Sequence, residues 1–141
     1  MSAQGHTVTD DEGLRRILSE TKTWAVVGCS PDPSRKSNEV AAFLLERGYH
    51  IIPVHPTEAE ILGQTCYPDL ASIPQPVDVV QLFRRPEQVG PHVEEAIAIG
   101  ARYVWMQLGI ANEEAAARAH EAGIDVVMDH CAKIETKRLL S

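Results

Sequence analysis

The stretch Trp24-Ala25-Val26-Val27-Gly28-Cys29-Ser30-Pro31 decides the fold. An unbroken apolar run stopped by a glycine reads as a strand buried on both faces, the kind found in parallel sheets. Upstream, Thr9-Asp10-Asp11-Glu12 has the form of a capping box ahead of Leu14, Ile17 and Leu18, so a short helix precedes the strand. Downstream, a loop from Cys29 to Lys36 contains two prolines and little apolar content. Ser37 or Asn38 then caps a helix carrying Val40, Ala41, Phe43, Leu44 and Leu45, which stops at Gly48.

The same alternation continues to the end of the chain. Tyr49 to Val54 is a second strand closed by His55-Pro56, and residues 57–76 are turn-rich with short pieces of structure. Asp78 to Phe83 forms a third strand, and Pro86 opens a helix with Val89, Val93, Ala96 and Ile97 that ends at Gly100. Tyr103 to Gln107 is the fourth strand, Asn112 caps an alanine-rich helix to Ala122-Gly123, and Ile124 to Met128 is the fifth. An amphipathic turn or helix from Ala132 to Leu140 closes the chain. Strand and helix repeat at about 25-residue spacing, which gives an α/β, Rossmann-like, doubly wound parallel sheet in three layers. Five strands, or slightly more, are expected in a single domain over residues 1–141, with residues 1–8 flexible.

Bulk properties narrow the function. A chain of 141 residues, 44% hydrophobic and 23% charged, has the composition of a soluble globular domain. Its net charge of −7 argues against nucleic acid or an anionic membrane surface as a partner. No apolar stretch approaches the ~20 residues of a membrane span, and residues 1–10 lack a signal-peptide pattern. Three cysteines at irregular spacing imply no disulfide framework, so a cytoplasmic location is expected. The six histidines show no zinc spacing with the cysteines, and no metal is expected.

In such a sheet, ligands sit outside the carboxyl ends of the strands, where the strand order reverses. Gly28, Cys29, Ser30 and Pro31 leave the first strand there, and Ser37 opens the next helix. Backbone N–H groups at a helix N-terminus form an anion site, to which Arg35 and Lys36 add charge. Arg84 and Arg85 leave the third strand toward the same edge. Local cations on a net-negative protein point to a phosphate-bearing ligand; solvated loop charges are the plainer reading. A strict G-x-G-x-x-G is absent after Gly28. The end of the second strand offers Val54, His55 and Pro56 where a dinucleotide fold places a ribose-binding carboxylate. That weakens a nicotinamide cofactor, although an NAD(P)-dependent oxidoreductase or a small-molecule transferase stays open as the alternative.

Val26-Val27-Gly28-Cys29-Ser30-Pro31-Asp32-Pro33-Ser34-Arg35 resembles the first loop of the small CoA-binding proteins related to the N-terminal domain of the succinyl-CoA synthetase alpha subunit. The resemblance continues through Gly48 to Pro56, Ile61-Leu62-Gly63, Phe83-Arg84-Arg85-Pro86, Trp105 to Gly109, and Val127 to Cys131 with Lys133-Ile134-Glu135. It covers roughly residues 12–140 in the family's order. It implies that coenzyme A or an acyl-CoA binds these loops. Gly28, Ser30 and Arg35 would hold phosphates, while Val54, His55 and Pro56 would border the adenine and ribose. Phe83 and Arg84 would cover the middle of the ligand, and Gln107 and Gly109 would lie near the pantetheine. Two positions depart from the pattern: Asp-Arg-Cys reads Asp129-His130-Cys131, and a histidine after the later Glu is Thr136.

The leading expectation is a noncatalytic binding module. A ligase of the related type also needs a grasp domain and a phosphorylated histidine, so any such chemistry would require a catalytic protein partner. A thiol at Cys29, near N–H groups and Arg35, is a candidate for a lowered pKa; its plainer reading is a small loop residue. Asp129-His130-Cys131 suggests a nucleophile with its base, yet adjacent residues at a strand end point apart, which favours a structural cluster. Trp24 and Trp105 read as core residues, and Glu113-Glu114 as first-turn carboxylates suited to the helix dipole. A homodimer is compatible with the exposed edge of an open sheet or with the C-terminal helix.

Overall fold

Hydrogen bonds run to both sides of residues 24–27 in the computed structural model, which describes residues 4–140. This run is β1 (Thr23–Val27), paired in parallel with β2 (His50–Val54) on one side and β5 (Val79–Leu82) on the other. Between β2 and β5 lies a small antiparallel hairpin, β3 (Glu60–Ile61) with β4 (Gln64–Thr65), inside the region expected to be turn-rich. β6 (Tyr103–Met106) and β7 (Asp125–Val127) complete the sheet in the order β2-β1-β5-β6-β7. Every pairing in it is parallel, as expected.

The register sets up the site. Val54, Val27, Leu82 and Met106 stand in one row across four strands, so their following loops leave the sheet at one level. The chain steps outward from β1 to β2 and then returns past β1 to β5. The order therefore reverses between β1 and β5, and the crevice at their carboxyl ends is the place a ligand occupies in such sheets.

Side chains alternate between two cores, because successive strand residues face opposite sides. Ala25, Val27, Val80, Leu82, Val104 and Met106 pack with α3 (Val89–Ala98) and α4 (Glu113–Glu121). Trp24, Val26, Val79, Trp105 and Val127 pack with α1 (Asp11–Glu20), α2 (Lys36–Glu46) and α5 (Ala132–Leu140). Both tryptophans are fully buried with ring centroids 5.5 Å apart, and their indole N–H groups donate to Thr21 Oγ1 and the His130 carbonyl. They are core residues, as their strand positions suggested. Among the described residues no helix is long and apolar enough to cross a membrane.

Helix ends follow local chemistry, and the sequence reading differs at the starts of α1 and α2. Gly48, at φ +99°, closes α2 with Gly48 N–H donating to Leu45 O and Tyr49 N–H to Leu44 O, a Schellman pair. Asn112 caps α4 by accepting from Ala115 N–H at 2.9 Å. At α1, however, the N-cap is Asp10 and not Thr9, and the Asp10 side chain makes no capping bond. α2 begins at Lys36, ahead of the expected caps, because the Ser37 and Asn38 side chains bond back to the preceding loop instead. Residues 5–8, expected to be flexible, lie along β7: Val126 N–H donates to His6 O, and Val8 N–H to Val126 O. Residues 1–3 of that segment fall outside the described residues.

Candidate ligand site at the carboxyl edge

Gly28 is the pivot of the site. Its N–H donates to Val54 O at 3.0 Å, while Phe83 N–H donates to Val27 O, which draws the loops after β1, β2 and β5 together. The residue has φ +81°, and a Cβ there would lie 2.6 Å from Phe83 O and 3.3 Å from Arg84 Cδ. Only glycine combines that backbone conformation with that close approach.

The rest of the first loop is held from within. Ser30 N–H donates to Ser37 Oγ and Asn38 Nδ2 donates to Ser30 O, each at 2.9 Å. Ser30 Oγ accepts from Asp32 N–H, and Asp32 in turn accepts from both the N–H and the hydroxyl of Ser34. Those bonds, with the more distant Arg35 charge, hold the Asp32 carboxyl below its ordinary range. The loop thus delivers the N-terminus of an 11-residue helix to the crevice in a fixed orientation.

Two grooves meet at this pivot. One, of about 350 Å³, is lined by Val27, Gly28, Ser30, Val54, His55, Pro56, Pro68, Phe83, Arg84 and His92. The other, of about 320 Å³, is lined by Gly28, Ser30, Arg35, Lys36, Ser37 and Phe83. Each is within the size range of small-ligand pockets, and Gly28, Ser30 and Phe83 belong to both. Arg35 and Arg84 make no ion pair among the described residues, and Arg84 Nε is buried with no hydrogen-bond partner. Lys36 differs: its ammonium bonds Glu39 at 2.8 Å, which raises its pKa and offsets its charge.

Cavity size alone points elsewhere. A larger cavity of about 540 Å³ lies between α3 and α4, but Glu87, Glu94, Glu114 and Glu121 line it against a single cation, Arg118. That lining repels an anion. Among the described residues no three His, Cys, Asp or Glu side chains gather as a metal site.

Several expected site residues stand apart from the grooves. Cys29 is fully buried, and that burial, with Cys66 nearby, pushes its thiol up to about 12; the lowered pKa suggested by its loop position is overturned. Pro31 and Arg85 are exposed and line neither groove, because the chain turns outward at both points. Gln107 is buried, and its Oε1 accepts from Gln81 Nε2 at 3.3 Å. Gly109 N–H donates to Asp129 Oδ1, so neither pantetheine candidate joins the grooves. His130 Nδ1 bonds the Met128 carbonyl at 2.7 Å, and Cys131 is buried.

Pro68 and His92 line the site without having been singled out in the sequence. Pro68 follows the hairpin, where turn-rich sequence gives no direction. His92 had a usable signal, since the helix after each parallel strand starts at the carboxyl edge and His92 lies in the first turn of α3.

Comparison with known proteins adds an independent finding. A statistical model of a family described as a CoA binding domain matches residues 22–137. An uncharacterized protein of Bacillus subtilis strain 168, YneT, is 41% identical over 121 residues, covering 86% of this chain and 90% of that protein. A hypothetical protein from Pyrococcus horikoshii OT3 superposes with a TM-score of 0.92 at 44% identity, covering 94% of each chain. The ADP-forming acetate–CoA ligase I of Archaeoglobus fulgidus is 34% identical over 74 residues, which are 52% of this chain and 11% of the ligase.

Proposed function

The chain belongs to the CoA binding domain family, and from that premise we propose that it binds coenzyme A or an acyl-CoA across the carboxyl ends of β1, β2 and β5 and catalyses no reaction alone. The observation that carries this reading is the meeting of the two grooves at Gly28, Ser30 and Phe83. One groove offers a helix N-terminus with Arg35, suited to a diphosphate. The other offers Val54, Pro56, Pro68 and Phe83, apolar walls for a flat purine, with His55 and Arg84 at hand. A ligand that joins an adenosine to a diphosphate fits both at once. The residues present fit the coenzyme in two further ways: a Cβ on Gly28 would fill the cradle, and Arg84 Nε is a buried donor awaiting an acceptor.

The bound coenzyme would supply a thiol for carrying acyl groups. This chain's residues bind and orient it. The noncatalytic part of the reading is supported by the state of the nucleophile candidates: Cys29 is buried with its thiol pushed up to about 12, and the His130 ring is engaged by a backbone carbonyl. Should the chain serve acyl-CoA chemistry, a catalytic protein partner would act on the coenzyme it holds.

Parallel calorimetric titrations with CoA, NADH and NADPH test the reading. It predicts saturable CoA binding, and much weaker nicotinamide binding because β2 ends in Val54-His55-Pro56 with no ribose carboxylate. Tighter binding of NADH or NADPH than of CoA overturns it, as does no CoA binding at millimolar ligand.

A further inference from the structure

We propose that Arg84 and His92 read a phosphate monoester on the ligand's ribose, so that the protein selects CoA over its 3′-dephospho form. This rests on the coenzyme A reading above and names the group that the second groove recognises.

The cations of the site fall into two separate sets. Arg35 and the N-terminus of α2 line one groove, where they can take a diphosphate without help from the other. A ligand with only that diphosphate would leave the Arg84 end without an anion. Yet Arg84 Nε is buried with no acceptor among the described residues, and its Cδ packs over Gly28, so the side chain is held against the pivot. Arg84 is half-buried at the groove wall, and a guanidinium there with one donor unmet suits a charged acceptor.

The neighbouring rings point the same way. His92 reaches the groove from α3, and its Nδ1 bonds Glu95 Oε1 at 2.9 Å. A carboxylate accepts only, so Nδ1 carries hydrogen; Nε2 of this ring, whose side chain is 24% exposed, then meets a phosphate monoester by accepting from its P–OH, or as a donor in the imidazolium form. At His55, Nδ1 accepts from Thr57 N–H at 3.2 Å, which places the ring proton on Nε2 as a donor. Arg84, His55 and His92 thus bring three nitrogen-bearing side chains to a groove otherwise walled by Val54, Pro56, Pro68 and Phe83. No carboxylate lines that groove, while Glu95 orients His92 from behind. An adenosine with a phosphate on its ribose meets both the apolar walls and the basic end.

Calorimetry with CoA, 3′-dephospho-CoA and adenosine 3′,5′-bisphosphate tests this, with wild type, His92→Gln and Arg84→Met and a melting curve for each. Wild type should bind CoA about tenfold or more tightly than 3′-dephospho-CoA, and should bind the bisphosphate measurably. In each variant that ratio should fall to within about twofold of unity. Equal wild-type affinity for CoA and 3′-dephospho-CoA overturns this proposal and leaves the coenzyme A reading standing. An unchanged ratio in both variants overturns the assignment to Arg84 and His92. Failure of both CoA forms to bind overturns the coenzyme reading and this proposal together.

Discussion

The two edges of the sheet treat their polar groups in opposite ways. At the amino edge, Asp78 Oδ2 accepts from Lys22 N–H and Thr23 N–H at 2.9 and 3.0 Å. Its other oxygen faces Arg102 at 3.7 Å, and its carbonyl accepts from Arg102 N–H and Tyr103 N–H. Burial works to raise the Asp78 pKa, but the two backbone donors and Arg102 outweigh it and hold the carboxyl below its ordinary range. At the carboxyl edge, by contrast, Arg84 Nε is buried without a partner and Arg35 has no ion pair among the described residues. Polar groups at the first edge close the strands on one another. At the second, the loop and helix groups also bond within the chain, but Arg84 Nε is left without an acceptor, a cost to folding that a ligand's acceptor would offset.

Substitutions that act on stability at one edge and on affinity at the other sharpen this contrast. The largest effect is expected at the pivot, where both coincide: Gly28→Ala forces a Cβ against the Phe83 carbonyl in a left-handed conformation. It should cost about 3 kcal/mol by denaturant unfolding and remove CoA binding; wild-type stability in this variant would contradict the geometry. Next, Asp78→Ala should lower stability by about 1–3 kcal/mol with the CoA affinity of the folded protein unchanged. Because the folded-state pKa of Asp78 is depressed, its contribution is present above the unfolded value of ~3.9 and fades as pH falls through the folded value. Asp78→Asn should therefore flatten the acid side of the stability curve; an unaltered acid limb would break the comparison.

Arg35→Ala should show the reverse pattern. About tenfold of CoA affinity should be lost while unliganded stability stays within about 0.5 kcal/mol of wild type. A large stability loss would mean that Arg35 belongs to the fold and not to the ligand. The smallest effect is expected at Cys29, whose thiol is buried and pushed up to about 12. Iodoacetamide at about pH 8 should leave it unmodified in the native protein and label it on unfolding; rapid native labelling would contradict the buried placement.

What was legible in the sequence was the part governed by local pattern. Trp24 to Val27 declared a doubly buried strand, Gly48 a helix stop and Asn112 a cap, and the structure bears out each. The reversal point after β1 also followed, since chain order and strand count nearly determine it. Less legible were outcomes set by contacts between distant residues. Ser37 and Asn38 have the composition of caps, yet the loop they could have ignored captures their side chains seven and eight residues back. Gln107 follows its strand toward the ligand edge, but a buried amide 26 residues earlier takes its oxygen. Residues 5–8 look like a loose terminus and are held along β7 by pairing near Val126, far along the chain. At Cys29 the local cues were N–H groups and a nearby arginine; the deciding factor was desolvation, which no local pattern reports.

In the proposed binding mode, coenzyme A occupies the carboxyl edge through the loops that meet at Gly28. Amide NMR of the full chain during a CoA titration tests it most directly, because both edges are read in one experiment. The prediction is saturable shifts at Gly28, Ser30, Lys36, His55, Phe83, Arg84 and His92, with Lys22, Thr23, Arg102 and Tyr103 at the opposite edge unmoved. Shifts concentrated at the amino edge or in the acidic cavity between α3 and α4, or no shifts with CoA in millimolar excess, would contradict it.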